Sequence, residues 1–207
     1  MNKRQVIYLF LLVFGGFGPL LAQSPDIRTH AEHDPEDGEI RLKYEFYFDL
    51  WSEREVRHGR FSRWASNGQL IENAEYAEDE LNGLRRLYYS NGHPRESSWW
   101  KEGERHGSTR EFDRKGRLLL ESNYQSGQLH GIRTTYNEKT GKVRRMEQFH
   151  RGQLHGFVTD FNAKGAKKRV WKYEEGKKVP RRKQKEGGGK EKESAEKSEE
   201  KVEEVAE

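Results

Sequence analysis

Four histidines precede a glycine at one recurring position: His58, His106, His130 and His155. Imidazoles of this kind could ligate zinc, which needs them to converge at about 2.0–2.1 Å from one ion. Set one per β-hairpin, however, they stand roughly 9–10 Å apart, two strand spacings. Asn82 fills the same slot once, so the position is read as turn-stabilising. His30-Ala-Glu-His33-Asp34 is richer in ligand types, but it lies in a leader dense in Pro, Asp and Glu. No metal site is assigned to either set.

The carboxylates Glu72, Glu75, Glu96, Glu121 and Glu147 could in principle form a hydrolytic pair. They scatter over runs whose polar face also carries Arg and Lys, which reads as a solvated surface. The chain has no cysteine, and no serine sits in a Gly-x-Ser-x-Gly elbow. Phosphate-loop and dinucleotide fingerprints are missing too. The expectation is a protein with no catalytic residue, metal or cofactor, and so not an enzyme.

Trp99-Trp100 is the most distinctive local pair. Adjacent residues on a strand point to opposite faces, so Trp99 should stand on the face away from Trp100. Tryptophan is enriched in binding hot spots, which makes Trp99 a candidate interaction anchor. Six basic residues lie between Lys177 and Lys185 and could touch a membrane surface or an anionic polymer. Without the two ends of the chain (1–22 and 177–207), 27 basic residues face 26 acidic ones. That balance gives no continuous nucleic-acid footprint, and no specific nucleic-acid partner is expected.

These residues are positioned by a repeat. His-Gly or Asn-Gly pairs recur at 58–59, 82–83, 106–107, 130–131 and 155–156. Aligned with Gly59, Gly83, Gly107, Gly131 and Gly156 are a first ring (Trp64, Tyr88, Phe112, Tyr136, Phe161) and a second glycine (Gly68, Gly92, Gly116, Gly141, Gly165). A second ring follows at Tyr76, Trp100, Tyr124, Phe149 and Tyr173. The fourth unit has one extra residue, within the turn-like Asn137-Glu138-Lys139-Thr140-Gly141. Such units are too short for helical hairpins, and their ring-rich runs bounded by glycine read as β-hairpins.

Counting odd offsets from each first glycine places both sets of rings and the aliphatics on one face, with Arg, Lys and Glu on the other. The predicted fold class is all-β: an elongated, antiparallel, single-layer twisted sheet of tandem hairpins in which rings lying over glycine replace a thick core. Only 31% of residues are hydrophobic and 36% are charged, which excludes a large conventional core.

The remaining segments flank the array. Residues 1–22 combine Lys3 and Arg4 with nine apolar residues, Val6–Phe14, and end at small Ala22. This is the pattern of a signal peptide cleaved near Ala22, the alternative being a retained anchor. Export to periplasm or medium follows from that reading. Residues 23–38 read as a flexible leader and 39–51 as an N-terminal capping strand, with Ile40, Leu42, Tyr44, Phe46, Phe48 and Leu50 alternating with polar neighbours. Five units occupy 52–176. Lys164, Lys167, Lys168, Arg169 and Lys172 protect the last strand from edge pairing. Residues 177–207 read as a disordered Lys/Glu-rich tail.

Units such as Tyr124-Gln-Ser-Gly127-Gln-Leu-His-Gly131-Ile-Arg-Thr-Thr-Tyr136 resemble the bacterial variant of the MORN repeat, and are especially similar to the YwqK family of toxin–antitoxin antitoxins. The resemblance covers roughly residues 52–176. It implies a hairpin-repeat fold and an antitoxin-like protein-binding role, and it offers membrane, lipid or scaffolding association as a second possibility. Asp79 departs from it, standing where Gly103, Gly127, Gly152 and Gly176 occur, which predicts a distorted first turn. The functional expectation is an exported binding module for a protein partner, with dimerisation through a half-dry face as an open possibility.

Overall fold

The computed structural model describes residues 25–180. The segment read as a signal peptide, and the tail with its basic block from Arg181 onward, lie outside the described residues. The described residues form one open all-β sheet of 15 strands, without a helix.

In chain order the strands are β1 (Arg28–His33), β2 (Ile40–Asp49), β3 (Arg54–Trp64), β4 (Leu70–Ala77), β5 (Glu80–Leu81), β6 (Gly83–Tyr88), β7 (Pro94–Lys101), β8 (Glu104–Phe112), β9 (Leu118–Gln125), β10 (Gln128–Leu129), β11 (Gly131–Tyr136), β12 (Val143–His150), β13 (Gln153–Phe161), β14 (Lys167–Glu174) and β15 (Lys177–Lys178). All neighbours are antiparallel and follow chain order, with β5 and β10 as two-residue extensions paired to β4 and β9. At about 4.8 Å per strand the path is roughly 60 Å long.

Two boundaries differ from the sequence reading. The leader supplies β1, whose Arg28–His33 pairs along β2, so Ile40–Asp49 is not the terminal strand. A polar segment can join an edge because the ladder is made by backbone groups. At the other end Lys177 and Lys178 pair with Glu174 and Tyr173, so the sheet continues into the segment assigned to the tail.

Each first glycine lies directly across from a second ring: Gly59 from Tyr76, Gly83 from Trp100, Gly107 from Tyr124, Gly131 from Phe149 and Gly156 from Tyr173. Beside each glycine the strand bulges. Between the pairs Ser98–Thr109 and Trp100–Arg105, the single residue Trp99 faces three, His106, Gly107 and Ser108. Gly83 carries φ +126°, and a methyl group there would come within 2.8 Å of Glu75 Cβ.

The face assignment needs correction. Leu84 pairs with Trp99 and Arg86 with Ser97, which places both on the side away from Trp100. Tyr136 likewise donates to Glu121 at 3.5 Å on the side that Glu121 shares with Thr134. First and second rings therefore occupy opposite faces. Parity is lost through the connection because a one-residue bulge follows each second-glycine turn, as between Leu87 and Tyr88. The extra residue of the fourth unit is absorbed in the turn, where Asn137 N–H donates to Lys142 O at 2.8 Å.

Asp79 does not distort its turn. Glu78 and Asp79 have φ of 53° and 65°, close to the 49° and 74° of Glu102 and Gly103. Two positive φ values make the type I′ hairpin turn that matches strand twist. Asp79 N–H donates to Arg57 O at 3.0 Å, as Gly103 N–H does to Leu81 O and Gly127 N–H to Arg105 O. Its carboxylate accepts from Arg57 N–H at 2.9 Å and pairs with the Arg54 guanidinium. Burial opposes ionisation of Asp79, but the hydrogen bonds from Arg54 and Arg57 outweigh it and hold the carboxyl below its ordinary 3.8.

Gly83→Ala is expected to destabilise the fold by about 1–3 kcal/mol, since its backbone region is nearly closed to residues with Cβ; thermal unfolding of the variant checks this. Asp79→Asn keeps a residue that tolerates positive φ and should cost about 1–2 kcal/mol at pH 7, from lost charge-assisted hydrogen bonds discounted for partial exposure. Because the folded pKa is depressed, this stabilisation is present above the unfolded value and lost as pH falls through the folded one. Urea unfolding of both proteins at pH 7 and below pH 3 should show the difference shrinking in acid; a pH-independent gap would contradict the assignment.

Candidate functional site

The face bearing the second rings is built as a stack. Arg57 sits 4.5 Å from the Tyr76 ring centre, Arg105 lies 5.6 Å from Trp100 and 5.4 Å from Tyr124, and Arg133 lies 4.8 Å from Phe149. Carboxylates fix these guanidinium groups in turn. Buried Glu72 is held between Arg63 (2.9 Å) and Arg85 (2.6 Å), and buried Glu147 between Arg133 (2.7 Å) and Arg145 (3.0 Å). Glu96 takes both a bond from Arg105 at 3.2 Å and one from Ser98 Oγ at 2.9 Å. Trp100 Nε1 donates to the same Ser98 Oγ at 2.8 Å. Ser98, Thr109 and Ser122 form a buried row across three strands under this cover.

Four of the five carboxylates that the sequence offered for chemistry are thus spent on arginine, and the fifth, Glu75, lies over Gly83. Glu72, Glu96, Glu121 and Glu147 each lie in an ion pair. Arginines and rings share a face rather than dividing the sheet between them, because a guanidinium stacks on a ring while its edge still reaches a carboxylate.

The histidines are arranged differently from their spacing along the repeat. His150, at the end of β12, stands between His130 and His155, with ring centres 5.0 Å and 5.9 Å away. Among the described residues no three His, Asp or Glu side chains are disposed to hold a metal ion. In the leader, His30 stacks on Tyr44 at 4.8 Å while His33 Nδ1 lies 2.8 Å from Gly38 O.

Trp99 belongs to a column on the opposite face: Glu45, Glu75, Trp99, Asn123 and Gln148, each lying over a first glycine. Elsewhere this column is polar and ties down the bulge. Glu45 Oε2 accepts from Arg60 N–H at 2.7 Å, Gln148 Oε1 accepts from Phe157 N–H at 2.7 Å, and Asn123 Nδ2 donates to Ile132 O at 3.2 Å. At Trp99 an indole takes the place of that polar cap. Its Cβ rests 3.5 Å from where a Cβ on Gly107 would be, Leu84 is directly opposite, and the side chain is 48% exposed. A shallow depression runs beside it, lined by Gly83, Lys101, His106 and Ser108.

One apolar feature escaped the sequence reading. Leu50 and Trp51 are 81% and 83% exposed at the β2–β3 turn. Asp49 organises that turn by accepting from Trp51 N–H at 3.0 Å and Ser52 Oγ at 2.6 Å. Exposed Phe48 lies beside them on β2, and exposed Ile27 precedes Arg28, which pairs with Phe46. Strand alternation through Leu50 hid the turn; the Asp49-x-x-Ser52 spacing was the available signal.

No protein-family model and no curated protein matches this chain.

Proposed function

We propose that this chain is an exported, non-catalytic repeat module whose sheet is recognised by a protein partner, with Trp99 as the anchor. The observation that carries the reading is the departure at Trp99 from an otherwise polar column. Replacing a backbone cap by a half-exposed indole brings no hydrogen bond to the bulge, whereas a Trp at the centre of an interface contributes strongly to binding. The resemblance of the units to MORN-type repeats supports a binding role, and an antitoxin-like one remains part of this proposal.

A second reading, association with a lipid surface in the envelope, is favoured by exposed Phe48, Leu50 and Trp51, which follow one another at the β2–β3 turn. Tryptophan and apolar side chains suit the interfacial zone of a bilayer.

Trp99→Ser should cost about 1–3 kcal/mol, from the half of the indole that is buried, and leave the chain folded. In affinity capture from envelope and culture fractions, a protein retained by the parent chain and lost with this variant would support the first reading; identical sets of captured proteins would sink it. For the second reading, the double variant Leu50→Ser, Trp51→Ser should lose co-sedimentation with phosphatidylcholine vesicles. Unchanged co-sedimentation would remove that corner from consideration.

A further inference from the structure

Three imidazoles meet at one margin of the sheet. His150 ends β12 and pairs with Gln153 across the β12–β13 turn. The β11–β12 register, carried one step beyond the pair Gly131–Phe149, sets His130 directly across from His150. His155 stands on its other side, diagonal to it across the hairpin. Elsewhere that strand end is held by Ala77, Lys101, Gln125 or Glu174. The objection that slot histidines stand two strands apart therefore fails at this one place, because His150 fills the gap.

The distances select a pair. Two imidazoles on a tetrahedral ion, each nitrogen at about 2.0–2.1 Å and each ring centre ~1.2 Å behind it, have centres about 5.2 Å apart. His130 and His150 stand at 5.0 Å, with planes tilted by 53° rather than stacked. His150 and His155 are wider, at 5.9 Å.

The ring nitrogens of the pair are also uncommitted. Among the described residues, the side chains of His130 and His150 make no hydrogen bond or ion pair, and neither holds a buried nitrogen without a partner. By contrast, His33 Nδ1 reaches Gly38 O at 2.8 Å, and His58 Nδ1 lies 3.4 Å from Glu78. His150 is exposed and His130 half-buried, so an ion can enter and keep water.

We propose that His130 and His150 bind one divalent ion of the imidazole-preferring class, Cu2+, Ni2+ or Zn2+. No three His, Asp or Glu side chains among the described residues converge on an ion, so the chain supplies two ligands and water fills the remaining positions. The ion clips the entry to β11 onto the end of β12. Cu2+ binds tightest, as the general order of divalent affinities requires. Mg2+ and Ca2+ do not compete, because they take oxygen ligands. This inference is independent of any partner at Trp99 and of the lipid reading.

The repeat itself provides conservative variants, since Ala77 holds the strand end that His150 occupies and Asn82 holds the slot of His130. In NMR spectra of the full chain, substoichiometric Cu2+ should broaden the backbone amides of His130, His150 and Arg151 most strongly, and excess Mg2+ should not reverse this. Affinity for Cu2+ is measured by competition with a chromophoric chelator. His150→Ala and His130→Asn should each lower it by at least the roughly 10–100-fold that loss of a metal site's outer partners costs, while His106→Asn leaves it unchanged. Thermal unfolding without metal checks that the variants remain folded. Strongest broadening at His30 and His33, reversal by Mg2+, or parental affinity in either variant of the pair would overturn the proposal.

Discussion

The structure depends on one contact made once per repeat: an aromatic ring opposite a glycine. A single-layer sheet has no second layer to dry its faces, so cover must come from side chains standing on the sheet itself. The positive φ of Gly59, Gly83, Gly107, Gly131 and Gly156 aims the absent Cβ at the other face, where Glu45, Glu75, Trp99, Asn123 and Gln148 fill the space, while each glycine keeps a ring directly opposite it in the ladder. Arginine then stacks on the ring and carboxylate fixes the arginine. Under that cover residues as small as Ser98, Thr109 and Ser122 become buried. A chain with few hydrophobic residues achieves dry positions because guanidinium stems and rings supply the apolar area.

Coupling between units follows from the same geometry. Each short turn donates a backbone hydrogen bond to the preceding unit, as Gly127 does to Arg105 and Gly152 to Leu129. Cohesion is therefore between neighbours, and stability is approximately a sum of unit and interface contributions. It also explains why Asp79 serves in a glycine position: the turn needs positive φ and a free N–H, and Asp79 supplies both.

Where the stack consumes its own charges, little is left for a ligand. Recognition is more naturally sought where the chain departs from the repeat: an indole in a column of polar caps, an apolar turn at one corner, and exposed cations along the last strands. Each departure costs the fold little, because it stands outside the stack that holds the units together.

Much of this was legible in the sequence. The period of glycines and rings determined the strands, their antiparallel order and the turn that absorbs the extra residue near Thr140, because those features follow from local spacing and from residues suited to positive φ. Alternation likewise placed Trp99 and Trp100 on opposite sides, being a property of one strand. What crosses strands was decided only by the tertiary structure. The one-residue bulge beside Tyr88 separated the two sets of rings onto different faces, and the bulge beside Gly107, where one residue faces three, kept parity but set Arg105 opposite Trp100. Register also brought His150 between His130 and His155, and the leader gained a strand because β2 offered it an open backbone edge. Side-chain spacing is written along the chain, but which residues stand opposite one another is set by backbone register, and a one-residue bulge is enough to change it.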